Sequence, residues 1–202
     1  MSDWLKQSRP RIAVVGIGAV GGFYGARLIR AGHDVHLLAR SDYDALRENG
    51  LHVRSYEGDF QLPAGSFAVY RDPADLPPVD LVIVTLKATG NDAYAKLLSP
   101  IVRPGTTVLT LQNGLGNEDE LARLFGADHV LGGMAFVCIH RIAPGVVHHI
   151  DHGFLKIGEY QAPGMPGRGV SPRMERIAEL FREAGIRVDP LTDLRTGRWE
   201  KL

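Results

Sequence analysis

An α/β fold on a mostly parallel sheet is what this sequence predicts, and three features predict it. Runs such as residues 12–15, 81–86 and 107–111 are apolar or β-branched throughout, which marks strands buried on both faces. Amphipathic stretches separate those runs, the alternation expected when helices cross over between parallel strands. Glycine supplies 24 of the 202 residues without any period, so its positions mark turns rather than a fibrous repeat.

Residues 12–15 read as the first strand and 19–31 as a helix stopped by Gly32 in the C-terminal cap position. Residues 35–39 form a second strand and 42–49 a short helix ended by Gly50. Around the turn Glu57-Gly58-Asp59, residues 51–62 divide into two short strands. The buried run 81–86 follows, then a helix over 89–98, and Pro104-Gly105 turns the chain into strand 107–111. Residues 118–125 predict a helix whose leading acids, Glu118, Asp119 and Glu120, answer the helix macrodipole. A strand over 134–139 precedes residues 146–150 and 154–157, which resemble an antiparallel hairpin around Asp151-His152-Gly153. The sheet thereby gains an antiparallel extension at one end. The Pro/Gly-rich stretch 162–169 reads as a surface loop, because Ser171 caps a further helix and strand-sized material recurs at 186–188. Residues 1–10, Trp4 among them, are expected to form a mobile extension.

The 23 Lys and Arg residues balance 23 Asp and Glu, which argues against the basic footprint of a nucleic-acid binder. Hydrophobic residues at 45% and charged residues at 23% describe a globular chain with enough apolar material for a core. The single cysteine, Cys138, excludes an intrachain disulfide and suits a reducing cytoplasm, the compartment expected here. The apolar stretch 12–26 contains five glycines and is too short to span a bilayer, so no membrane partner is expected.

Those glycines have a chemical reading. Gly16-Ile17-Gly18-Ala19-Val20-Gly21 is G-x-G-x-x-G, placed directly after a strand and opening a helix, with a second strand close behind. The first glycine allows the tight turn, the second lets the backbone approach a pyrophosphate, and the third lets helix and strand pack closely. The pyrophosphate then rests on the free N–H groups of the helix N-terminus. The fold is therefore of the Rossmann type, and these six residues form a dinucleotide cradle. An acid at the end of the second strand would hold the ribose hydroxyls of NAD. This chain has Arg40 there, 19 residues after Gly21, while Asp34 lies at the strand's other end and Asp42 in the following turn. A guanidinium suits a 2′-phosphate by charge and by its planar fork of donors, so the cofactor expected is NADP(H).

Two other groups of residues carry no site. His140, His148, His149 and His152 cluster, but His148 and His149 point to opposite faces of a strand, and no acid or cysteine completes a tetrahedral set, so no metal is expected. Cys138, in an apolar strand, reads as core rather than nucleophile.

Three further segments fall where strands end on the cofactor side: Thr85-Leu86-Lys87-Ala88, residues 111–116 (Leu-Gln-Asn-Gly-Leu-Gly), and the closing Arg195-Thr196-Gly197-Arg198-Trp199-Glu200-Lys201-Leu202. With the glycine motif and Ala39-Arg40, in this order, the chain resembles the ketopantoate reductase family from about Arg11 onward. The resemblance implies a Rossmann domain followed by an all-helical one, with the active site between them. On it, residues 11–190 would be the NADP-binding domain and 191–202 the opening of the helical domain that binds substrate and forms a homodimer. The implied reaction is hydride transfer from NADPH to the ketone of 2-dehydropantoate, a small 2-oxo acid, on the route to pantothenate and coenzyme A.

The family's roles map onto named positions. The glycine loop and Arg40 would hold the cofactor with Lys87 nearby, Asn113 would touch both nicotinamide and substrate, and Lys201 would be the catalytic proton donor. The chemistry suits those residue types. Hydride arrival at a ketone builds an alkoxide, and a lysine can protonate it if burial or a neighbouring cation lowers its pKa. Asn113 offers a neutral amide that orients without titrating. The family's further polar substrate ligands lie beyond Lys201, and the sequence stops one residue after it. The expectation is a truncated member that binds NADPH but reduces ketopantoate poorly. Two alternatives stay open at this point: a related reductase of another small 2-oxo acid or polyol, and a non-catalytic NADP-binding module.

Overall fold

Residues 3–201 are described by the structure, a computed structural model; of Asp3 only the backbone is included. A ten-stranded mixed sheet organises it. The parallel core comprises β1 (Arg11–Val15), β2 (Asp34–Leu38), β5 (Ala68–Tyr70), β6 (Leu81–Val84), β7 (Thr107–Thr110) and the start of β8 (Val130–Ala143). The extension comprises β3 (Leu51–Ser55), β4 (Phe60–Leu62), β9 (Val146–Glu159) and β10 (Val188–Leu191). Across the sheet the order is β4-β3-β9-β8-β7-β6-β1-β2-β5, with β10 also paired to β9. The helices are α1 (Ala19–Arg30), α2 (Tyr43–Asn49), α3 (Tyr94–Leu98), α4 (Asn117–Phe125), α5 (Pro172–Glu183) and α6 (Leu194–Lys201).

The continuous apolar runs are buried on both sides because the sheet has a core on each face. Side chains alternate along a strand, so Ile12 and Val14 of β1 join Leu81 and Ile83 on the face covered by α1 and α5. Ala13 and Val15 join Val82 and Val84 on the other face, with Tyr94, Leu98 and Leu121 of α3 and α4. α5 begins as its sequence predicts: Ser171 Oγ accepts from the Met174 N–H, and Pro172 occupies the first turn, where a missing N–H is harmless.

Three expectations need correction. Residues 146–157 are not a hairpin but part of one long strand, β9, antiparallel to β8 along its whole length. The turn-like Asp151-His152-Gly153 is a bulge within it: the register slips opposite Phe136 and Val137, with His152 at φ 64° and Gly153 at φ 124°. The opposing strand supplied a ladder that short-range turn signals cannot anticipate. Of the expected mobile extension, residues 1 and 2 lie outside the described residues; the rest is docked rather than free, since a 3-10 turn at Asp3–Lys6 puts Trp4 into the core at 2% exposure. The helix expected over 89–98 is α only from Tyr94, after a 3-10 segment at Ala88–Ala93. The edge strand β5, three residues long, went unread.

Candidate cofactor and active site

Parallel pairing aligns β1, β2, β6 and β7, so the segments after their C-terminal ends share one edge of the sheet. The glycine loop follows β1, Arg40 follows β2, Lys87 follows β6 and Asn113 follows β7. That edge is where ligands bind in open α/β sheets.

In the loop, each motif glycine has a separate physical reason. Gly16 has φ +97°, a conformation that L side chains rarely adopt, and its added Cβ would sit 2.8 Å from Leu86 Cδ2. A Cβ on Gly21 would fall 2.4 Å from both the Gly16 carbonyl oxygen and Thr85 Oγ1. Thr85 completes this close packing by donating from Oγ1 to the Gly16 carbonyl at 2.7 Å. Gly18 differs, because nothing lies within 4 Å of the Cβ it lacks. It is the N-cap of α1, with no side-chain cap and no acid in the helix's first turn. An open space in front of uncapped helix N–H groups is the arrangement a pyrophosphate requires. The donor set fits a dinucleotide; Ile17, Ala19 and Val20 have apolar side chains and could offer it backbone groups only.

Arg40 is exposed and has no hydrogen-bond or ion-pair partner among the described residues. Lys87 is exposed as well, at the start of the 3-10 segment after β6. Asp42, the acid nearest Arg40 in sequence, is turned away into the protein at 3% exposure. Burial pushes its carboxyl up, but hydrogen bonds from Arg141, the Gly145 N–H and Ser41 outweigh this and hold it below the usual carboxylate range.

A cleft of about 450 Å³ opens beside Asn113, Ala135, Phe136, Cys138, Arg198 and Lys201. Lys201 Nζ donates to Asn113 Oδ1 at 2.7 Å and to the Ala135 carbonyl at 2.9 Å, and lies 5.2 Å from the centre of the Phe136 ring. The lysine is half-buried; burial first, and then the Arg198 charge, lower its pKa. Arg198 precedes it by one helical turn. Its guanidinium pairs with buried Glu118 of α4 and donates to the Gln112 carbonyl at 2.9 Å.

Gln112 is the hub of a second layer. Its Oε1 accepts from Tyr94 Oη and from Thr110 Oγ1, the latter at 2.9 Å, and its Nε2 donates to Asn91 Oδ1 at 2.9 Å. Asn91 donates to Asn117 Oδ1 at 2.8 Å, and Asn117 in turn donates to the Asn113 carbonyl at 3.1 Å. The Asn113 backbone is thus fixed from below while its exposed amide faces the cleft.

The structure brings Asn113 and Lys201 into contact and sets the glycine loop, Arg40 and Lys87 on neighbouring strand ends. Two readings from sequence fail here. Cys138 is exposed on the cleft rather than packed in the core, because β8 there has run past β7 and is paired only with β9. Glu118 does more than answer the helix dipole, being the buried partner of Arg198. Sequence motifs alone assign no role to Thr85, Gln112 or Arg198; only Arg198, one turn before Lys201 on the same helix, carries a signal that marks it. Among the described residues no group of His, Cys, Asp and Glu could hold a metal, and no helix is long and apolar enough to cross a membrane.

Comparison with known proteins agrees with this architecture. The family model described as ketopantoate reductase PanE/ApbA matches residues 12–162. A 2-dehydropantoate 2-reductase of Nostoc sp. is 45% identical over 192 residues, covering 95% of this chain and 59% of that protein. One of Archaeoglobus fulgidus is 33% identical over 193 residues, again covering 95% and 59%. The crystal structure of 2-dehydropantoate 2-reductase from Geobacter metallireducens superposes with a TM-score of 0.88 at 48% identity, covering 95% of this chain and 61% of that one. A D-mandelate dehydrogenase solved with NADH and anilino(oxo)acetate shares the fold at TM-score 0.82, with 19% identity. The chain spans about 59% of the length of the curated relatives it matches. By its fold, its motif positions and these matches, the chain belongs to the ketopantoate reductase family.

Proposed function

We propose that the chain binds NADPH and contributes the proton donor for reduction of 2-dehydropantoate to pantoate, a cytoplasmic step towards pantothenate and coenzyme A. The observation that carries this reading is the contact between Lys201 and Asn113 in a cleft at the cofactor edge of the sheet. The glycine loop and the N-terminus of α1 would hold the pyrophosphate, Arg40 the 2′-phosphate, and Lys87 a phosphate or ribose oxygen. When bound, the nicotinamide would supply the hydride that goes to the carbonyl carbon. Lys201 holds a proton at Nζ for the carbonyl oxygen, so the ketone gains a C–H and an O–H bond and becomes an alcohol. The Asn113 carboxamide fixes the direction of that N–H while remaining uncharged. Partial burial, and then the Arg198 charge, make the ammonium a readier donor than a solvated lysine.

Titration of NADPH and NADH separately onto the protein tests the cofactor half of the reading. NADPH should bind more tightly, and Arg40→Ala should weaken NADPH by roughly ten- to a hundredfold, the loss of a charge-assisted contact, with NADH little changed. Equal affinities in the parent protein would remove the role given to Arg40. A panel of 2-oxo acids assayed with NADPH tests the substrate half, for which 2-dehydropantoate should give the highest kcat/KM.

A further inference from the structure

The turn after β2 holds more charge than a lone arginine. Arg40 is followed by Asp42 and Asp44, and two further guanidiniums, Arg71 and Arg141, reach the same segment. Arg71 directly follows β5, the strand paired with β2, and binds Asp44 at 2.6 Å. Arg141 comes from β8, near the tip of the β8–β9 ribbon and 99 residues away in sequence. It grips Asp42 through both donors, Nε to Oδ2 at 2.8 Å and Nη2 to Oδ1 at 2.6 Å. The Gly145 N–H adds 3.0 Å to Oδ2 and Ser41 Oγ adds 2.8 Å to Oδ1, so each carboxylate oxygen of Asp42 accepts two hydrogen bonds. Two acids are thereby matched with two arginines, and among the described residues Arg40 has no carboxylate partner.

From this geometry we infer that Arg141 is a specificity-determining residue for the cofactor, acting by withdrawing the Asp42 carboxylate from the site that faces Arg40. The inference rests on the reading of Arg40 as the 2′-phosphate ligand. An acid at the end of this strand is what selects NAD, by accepting from the ribose hydroxyls, and a free carboxylate repels a 2′-phosphate. Asp42 stands two residues past Arg40. Released from Arg141, it would compete with the phosphate for Arg40 and offer an acceptor to an unphosphorylated ribose. The chain carries an acid two residues past the position that selects NAD and holds its carboxylate away through a bidentate pair. Arg141 itself touches no cofactor in this scheme; it is a positioning residue.

The test is binding of NADPH and NADH, each measured by calorimetry on the parent protein, Arg141→Met, and the double variant Asp42→Asn with Arg141→Met. In Arg141→Met the ratio of NADH to NADPH dissociation constants should fall by at least tenfold. In the double variant, which has no acid to release, the ratio should return to within about threefold of the parent value. A purely structural role for the pair predicts parallel weakening of both cofactors, with the ratio unchanged, and that result overturns the inference. If Arg141→Met does not fold, Arg141→Lys keeps the charge without the planar fork and should shift the ratio in the same direction by a smaller factor; an unchanged ratio there also overturns it. A parent protein with no preference for NADPH would overturn the Arg40 reading instead, and this inference with it.

Discussion

Lys201 and Asn113 are joined by a 2.7 Å hydrogen bond across 88 residues of chain, and the two carry the polar chemistry at one end of the cleft. The contact exists because α6 packs against β8 and β9, and Arg198 ties it to the Gln112 carbonyl just past β7. Removing the ammonium without much change in bulk, as in Lys201→Met, should separate chemistry from binding. Turnover in the longest natural form of the protein should fall by roughly 10²- to 10⁴-fold, the usual contribution of a positioned acid. The dissociation constant for NADPH should move by no more than about twofold, since the cradle lies on other strands. A loss confined to KM would show that Lys201 binds substrate without donating a proton.

The same lysine sets an expected pH dependence. Burial and then the Arg198 charge lower its pKa. A proton donor works while protonated, so kcat should be level at lower pH and fall as pH rises through that lowered value. The limb should therefore lie below the range of a solvated lysine, near 10.4. Replacing Glu118 and Arg198 together, by Gln and Met, removes the neighbouring cation without leaving a buried charge, and should move the limb upward. Stability follows the opposite slope. The folded state binds this proton less well than the unfolded chain, so the lysine's contribution to stability rises with pH between the two pKa values.

The contrast between Lys201 and its surroundings shows what sequence could and could not reveal. The glycine loop was legible because its logic is local: a strand, three glycines and a helix within about ten residues. The alternation of β1 between two cores was legible for the same reason. The partner of Asp42 lies 99 residues away, and that of Arg198 lies 80 away, so the fate of each charge depends on packing that no window of sequence contains. Asp151-His152-Gly153 misled because its turn chemistry is real, with two positive φ angles, yet β8 alongside turned it into a bulge. Trp4 misled because terminal position says nothing of burial.

Two glycines three residues apart should respond differently to the same methyl group. Gly21→Ala places its Cβ 2.4 Å from the Gly16 oxygen and Thr85 Oγ1, so helix and strand must separate. Overpacking of this kind costs about 1–3 kcal/mol, and at roughly 2–4 °C per kcal/mol the Tm should drop by about 2–12 °C. Gly18→Ala meets nothing within 4 Å and has φ −98°, which any residue tolerates, so the apo protein should melt within about 2 °C of the parent. Its affinity for NADPH should nonetheless fall by at least tenfold, because the methyl group enters the space left for the pyrophosphate. Thermal melts and calorimetry on the two variants check both halves. Unchanged affinity in Gly18→Ala would place the cofactor elsewhere.

Glu118 and Glu120 offer a final contrast, on one helix and each paired with an arginine. Glu118 and Arg198 are 8% and 6% exposed, whereas the Glu120–Arg123 pair faces solvent. If the leading acids of α4 served the helix dipole alone, Glu118→Gln and Glu120→Gln would cost similar amounts. The buried pair predicts otherwise. Glu118→Gln leaves the Arg198 guanidinium uncompensated, at a cost of about 3–5 kcal/mol, so its Tm should fall by roughly 6–20 °C. Glu120→Gln should leave the melt unchanged, since an exposed pair is screened. Adding Arg198→Met to Glu118→Gln should recover most of the loss, because the orphaned charge is then gone and its space is filled by an apolar chain. Equal melts for the two single variants would mean that Glu118 does not anchor Arg198, and Lys201 would then owe its position to something else.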